Sequence, residues 1–132
     1  MLSTADRLAI HELIALHGHL IDDGAFDRLD EIFTSAVAYD VTALGGGILC
    51  GPAAIRDAGL ALGDNNPVGH HTTNVIVTEG TDQQARARSK GIGVLANGTV
   101  GTVVYEDELI RTPAGWRISR RKVLPRKRPL TR

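Results

Sequence analysis

The sequence predicts an α+β fold, with helices packed on one face of a mostly antiparallel sheet. Three observations predict it. Apolar residues recur at steps of three and four only in the first half of the chain. From residue 70 onward, long segments alternate apolar and polar residues instead. Turn signals, of which Asn97-Gly98 is the strongest, separate those segments, and runs of helices followed by runs of strands point to α+β rather than α/β.

Residues 4 to 22 read as a helix whose stripe is Ile10, Leu13, Ile14, His17 and Ile21. Ser3 or Thr4 suits its N-cap, and Asp23-Gly24 its end. A short second helix carries Phe26, Leu29, Ile32 and Phe33 on its apolar side. Residues 36 to 43 read as a strand, Gly45-Gly46-Gly47 as a turn and Ile48 to Cys50 as the returning strand. Pro52, after Gly51, fits the first position of a third helix, with Ile55, Gly59 and Leu62 at helical spacing. Residues 63 to 69 form a loop. Strands follow at about 70–79, 84–95, 100–111 and 116–124. One domain is expected over residues 1–124, with 125–132 a proline-containing basic tail.

Composition narrows the partners. The chain has 132 residues, a 42% apolar fraction and a formal net charge of zero, which suits one core and gives no general case for nucleic acid or membrane surfaces. Aromatics at 4% weaken base stacking as a theme. Arg117, Arg120, Arg121, Lys122, Arg126, Lys127 and Arg128 make the C-terminus basic and read as a solvated strand face and tail. Cys50 is the only cysteine, which fits a reducing compartment. The N-terminal residues lack the uninterrupted apolar run of a signal peptide, and no stretch has the roughly 18 apolar residues of a membrane span, so a cytoplasmic protein is expected.

The run His70-His71-Thr72-Thr73-Asn74 is the most informative segment. Strand alternation puts His70, Thr72, Asn74 and Ile76 on one face, and polar side chains leading into an apolar edge suit the polar end of a pocket. His70 taken alone reads rather as bonding the backbone at a strand start. Asn74 suits either a substrate oxygen or a neighbouring strand. Tyr39, Asp40 and Tyr105 fall at pocket or at sheet core and rim, and Trp116 at core near the pocket wall. Ala85, Ala87, Ser89, Gly91 and Gly93 give one strand a face of small residues, which leaves volume for a ligand or for a closely packed helix. His17 and His19 point to different sides of a helix, and His70 and His71 to opposite faces of a strand. Neither pair chelates one ion, and no metal or cofactor is expected. Gly45-Gly46-Gly47 lacks the strand–helix context of a phosphate loop.

Three places in the chain resemble the SnoaL-like branch of the nuclear transport factor 2-like superfamily, which includes scytalone-dehydratase-like proteins. They are Leu20-Ile21-Asp22-Asp23-Gly24-Ala25-Phe26-Asp27-Arg28-Leu29 with Ile32-Phe33, then Gly51-Pro52-Ala53-Ala54-Ile55, then His70 to Asn74 followed by Tyr105 and Gly115-Trp116-Arg117-Ile118. The resemblance implies a cone: a strongly curved sheet with three N-terminal helices over its open side, enclosing a pocket and dimerising through the sheet's outer face. It further implies that Asp22 and His70 form a dyad at that pocket, with the carboxylate fixing the imidazole as base. His17 falls where relatives place a tyrosine or lysine and would assist as an acid. Gly91 falls where dehydratases place a further polar residue. Asn74, Tyr39, Tyr105 and Trp116 would contact the substrate.

The activity implied is that of a cofactor-independent lyase or isomerase, dehydratase-like, acting on a small, largely apolar cyclic molecule such as a polyketide, steroid or aromatic catabolite. The alternatives are a noncatalytic small-molecule-binding module of the same fold and a dimeric scaffold. A hydrolase ranks lower, because no Asp-Arg-Asp water-activating set is evident.

Overall fold

A computed structural model describes residues 1–130. Helix α1 (Thr4–Asp22) starts at a capping box, in which Ser3 accepts from the Asp6 N–H and Asp6 accepts from the Ser3 N–H. Ile10, Leu13, Ile14, His17 and Leu20 are buried along it, while Ile21 is only partly covered. The second helix is a 3₁₀ helix, Phe26–Glu31. Strand β1 (Phe33–Asp40) begins three residues earlier than expected, because Ile32 and Phe33, read as a helix face, instead enter the sheet core. Strand β2 (Ile48–Cys50) and helix α2 (Pro52–Leu62, with Pro52 in its first turn) follow.

Four long strands complete the chain: β3 (Gly69–Gly80), β4 (Gln84–Val94), β5 (Val100–Thr112) and β6 (Gly115–Arg126). The six strands form one sheet in the order β2-β1-β6-β5-β4-β3. Every pairing is antiparallel except β1 with β6. β6 runs two residues into the segment expected to be a tail, whose last two residues, 131 and 132, lie outside the described residues.

Four irregularities bend the sheet, between Phe33 and Ala38 in β1, around Asn74 and again between Val77 and Glu79 in β3, and opposite Glu108–Leu109 in β6. Asn74 has φ +56°, the only left-handed non-glycine residue among those described. The bulge reverses the strand's parity. His70 and Thr72 face inward, but past Asn74 it is Val75 and Val77 that meet the core, while Ile76 is 63% exposed. The expected shared face of His70, Thr72, Asn74 and Ile76 therefore ends at Thr72.

The concave side packs on α1. Ala85, Ala87, Ser89 and Gly91 of β4 are buried there, whereas Arg86, Arg88 and Lys90 point outward. On that outer face β4 cations register against Glu108 and Glu106 of β5, which register in turn against Arg120 and Lys122 of β6. Opposite charges placed side by side let a half-solvated sheet face carry many ions. No described helix is long and apolar enough to cross a membrane.

Candidate active site

Asp22 is the last residue of α1, and His70 is the second residue of β3. A carboxylate at a helix C-terminus faces the negative end of the helix dipole, so helix stability does not explain it. Its partner does. The His70 backbone N–H donates to both Asp22 oxygens, at 3.1 and 3.0 Å, and His70 Nδ1 lies 2.6 Å from Asp22 Oδ1. An ionised carboxylate only accepts, so Nδ1 carries the proton and Nε2 of the neutral ring is left with its lone pair. The two side chains are 21% and 27% exposed, which leaves the pair reachable.

Gly18 makes this approach possible. A Cβ built there would collide with the His70 backbone carbonyl, so only glycine lets α1 lie close enough to β3 for a short aspartate to span the seam.

Below the pair, the interior is unusually polar. His17 is 4% exposed and stands edge-on to Phe33 and Tyr105, with ring centroids 6.0 and 6.2 Å away. Burial, then the nearby Arg121 guanidinium and the His70 side chain, push its pKa well below the ordinary 6.5. His17 is thus a neutral imidazole. It can accept or donate a hydrogen bond through its two ring nitrogens.

Arg121 is fully buried and bonds Asp107 through one edge of its guanidinium, Nε to Oδ1 at 2.7 Å and Nη2 to Oδ2 at 2.8 Å. Burial works against its charge, but the Asp107 carboxylate outweighs it and raises the pKa, so Arg121 stays a cation. Its guanidinium carbon lies 4.2 Å from the centre of the Tyr105 ring. This corrects the reading of Arg121 as part of a solvated basic face. Burial raises the phenol pKa of Tyr39, with the neighbouring Tyr105 adding to it, and burial likewise raises that of Tyr105. Both phenols are neutral hydrogen-bonding groups.

Tyr105 also answers the small-residue face. A Cβ at Gly91 would lie 2.6 Å from Tyr105 Cε2 and 2.8 Å from its hydroxyl, so the phenol fills the space above this glycine. Neither a separate ligand nor a helix is needed to cover that glycine.

Three buried polar atoms among those described have no hydrogen-bond partner: His17 Nδ1, Ser89 Oγ and Arg121 Nη1. Each such atom costs roughly 1–3 kcal/mol unless something polar reaches it.

Two of the expected substrate contacts lie elsewhere. Asn74 is exposed at the bulge, where its backbone turns the strand. Trp116 donates through Nε1 to Asp6 at 3.1 Å and stacks under Arg111. Asp6 sits sixteen residues before Asp22 on α1, about 24 Å away along the axis. Trp116 therefore fastens the far end of the helix. Asp40 accepts from the Thr42 N–H and Arg120 and belongs to the rim. Among the described residues, no three His, Cys, Asp or Glu side chains are grouped to hold a metal ion. Two open hollows of about 360 and 440 Å³ lie on other faces, one lined by Lys90, Thr102 and Arg126 to Pro129, the other by residues around Gly80 and Glu108.

Sequence reasoning missed Gly18, Asp107 and Arg121. Asp107 carried a readable signal, since it alternates with Tyr105 and Leu109 on the face that must be inward. Arg121 did not, because its inward direction depends on the bulge.

Comparisons with known proteins agree with this architecture. The family model described as a SnoaL-like domain matches residues 3–122. An uncharacterized protein of Mycobacterium tuberculosis is 33% identical over 129 residues, covering 92% of this chain and 88% of that one. A crystal structure of a nuclear transport factor 2-like protein with a cystatin-like fold from Novosphingobium aromaticivorans is 30% identical, with a TM-score of 0.75 over 90% of this chain and 80% of that one. Hexachlorocyclohexane dehydrochlorinase of type 3 from Novosphingobium barchaimii has a TM-score of 0.76 at 21% identity, over 95% and 92% of the two chains, a likeness of fold alone.

Proposed function

The chain belongs to the SnoaL-like domain family, and on that premise we propose that it is a cofactor-independent lyase or isomerase acting on a small, largely apolar cyclic molecule that carries a carbonyl. The observation that carries the reading is the 2.6 Å contact between His70 Nδ1 and Asp22, which leaves Nε2 free as a base on a partly open side chain. Nε2 takes a proton from the carbon beside the carbonyl. The electron pair of the broken C–H bond becomes the new double bond as the neighbouring leaving group departs. In an isomerisation the proton returns to a different carbon. Asp22 stabilises the imidazolium formed on the way. A homodimer in the cytoplasm is the assembly and setting proposed with it.

The test is solvent-deuterium uptake, read by NMR, into a panel of cyclic ketones with a hydroxyl or halide β to the carbonyl. The protein catalyses uptake or elimination on at least one, and His70→Ala lowers that rate by about 10²–10⁴-fold while its circular dichroism is unchanged. A His70→Ala variant with full activity would remove the mechanism.

The Tyr105 phenol filling the space over Gly91 favours a second reading, a scaffold whose cone interior is closed by its own side chains. Under that reading no ketone in the panel perturbs the NMR signals of Tyr105.

A further inference from the structure

Around the Tyr105 ring, three elements bring together polar atoms that the interior leaves without partners. Ser89 of β4 is the direct cross-strand neighbour of Tyr105. The guanidinium of Arg121, from β6, lies over the ring face, and the imidazole of His17, from α1, stands at 6.2 Å. All three residues are more than nine-tenths buried. Ser89 Oγ, Arg121 Nη1 and His17 Nδ1 are the unpartnered atoms.

From this cluster we infer that Arg121, Ser89 and His17 form a subsite for one neutral oxygen of the guest molecule, a ketone or its enol. The inference deepens the proposed lyase or isomerase reading and rests on it. Charge fixes the guest's class. Asp107 already neutralises Arg121 through two hydrogen bonds, so a carboxylate or phosphate brought inside would be a buried charge with no counter-ion. A neutral oxygen adds no net charge, yet it accepts from Arg121 Nη1 and from the Ser89 hydroxyl. Neutral His17 completes the ring, donating to the oxygen or accepting from an enol according to its tautomer. The same arrangement suits the reaction. When His70 removes a proton beside the carbonyl, the C–H electron pair moves toward the carbonyl oxygen, and the developing negative charge falls where Arg121 offers a fixed donor. Arg121 would then be a catalytic residue, and Asp107 a positioning residue acting through it.

Binding tests the subsite apart from turnover. The probes are 1-tetralone, a neutral cyclic ketone, its hydrocarbon tetralin and the anion benzoate, titrated against the full chain with NMR detection. The ketone binds at least about tenfold more tightly than either other probe, as expected where its oxygen completes an otherwise unpaired polar site. Ser89→Ala weakens the ketone by about two- to tenfold, the range of one neutral hydrogen bond, without changing the hydrocarbon. Because Arg121→Met alone would strand Asp107, the second variant is Arg121→Met with Asp107→Leu, checked for folding by circular dichroism, and it abolishes the preference for the ketone. Equal binding of ketone and hydrocarbon, tighter benzoate, no binding of the ketone, or a preference untouched by both variants overturns the subsite. His70→Ala keeps the ketone preference if the subsite is right. Failure of the base at His70 and failure of the oxygen site therefore give different results.

Discussion

Two aspartates each hold a nitrogen-bearing side chain across the inner side of the cone, and they do opposite things. Asp107 grips Arg121 with two hydrogen bonds in the fully buried interior, where its carboxylate keeps the guanidinium a cation. Asp22 meets His70 at the seam between α1 and β3, where both side chains are partly exposed and one ring nitrogen stays free. The buried pair is a fixed charge. The seam pair leaves a ring nitrogen open toward solvent. The first shapes the interior, and the second is the pair on which the proposed reaction rests.

Breaking the buried pair gives the largest expected effect on stability. Asp107→Ala leaves Arg121 charged and uncompensated and lowers unfolding free energy by about 3–5 kcal/mol, whereas Asp22→Ala costs no more than about 1 kcal/mol because solvent already screens that pair. Urea titrations of the two variants measure the contrast, and equal losses would erase the distinction between the pairs.

Gly18→Ala comes next. The added methyl group meets the His70 backbone carbonyl, so α1 must move away from β3. A loss of roughly 1–3 kcal/mol is expected from such overpacking. Amide hydrogen exchange at His70 should rise with it, because its N–H bonds to Asp22 depend on that approach.

His17 supplies the third test. Its folded pKa lies below the ordinary 6.5, so the unfolded chain takes up a proton that the folded chain refuses. Below about pH 6.5 this group therefore removes stability, at up to about 1.4 kcal/mol per pH unit. The contribution is absent above that pH and grows as pH falls toward the folded value. His17→Leu should flatten the slope between about pH 6.5 and 5 in urea titrations. An unchanged slope would mean that His17 is not held neutral.

The smallest effect belongs to Asp6. Hydrogen bonds from Arg111, then Trp116, hold its carboxyl well below the usual range. A depressed carboxyl adds stability above its unfolded value of about 4 and loses it as pH falls further. The stability difference between the natural chain and Asp6→Asn should shrink below about pH 4, as read by acid titration at fixed urea.

The two pairs also mark what could be read from sequence. The helix over 4–22 was legible from its stripe and the Ser3 cap, and the four long strands from alternation and turn residues. The resemblance of motifs brought Asp22 and His70 into view together. Arg121 stayed hidden, because strict alternation from Trp116 and Ile118 puts Arg120 on the inside and Arg121 in solvent. The bulge opposite Glu108–Leu109 shifts the inward place by one residue, to Arg121. The expected face through Asn74 is broken in the same way: its left-handed backbone reverses the face on which Val75 and Val77 lie. Gly18 was silent because a glycine amid helix formers reveals nothing about what approaches it. The bulges arise from how six strands curve around one helix, a property of the whole sheet rather than of any local run.

The central claim is that Asp22 fixes the tautomer of His70. Long-range ¹H–¹⁵N correlation NMR of the neutral imidazole measures it directly, with Asp22→Asn as the control. A proton on Nδ1 and a bare Nε2 in the natural chain, with the preference lost in the variant, is the predicted result. A proton on Nε2, or the same tautomer mixture as the exposed His11 and His19, would contradict it.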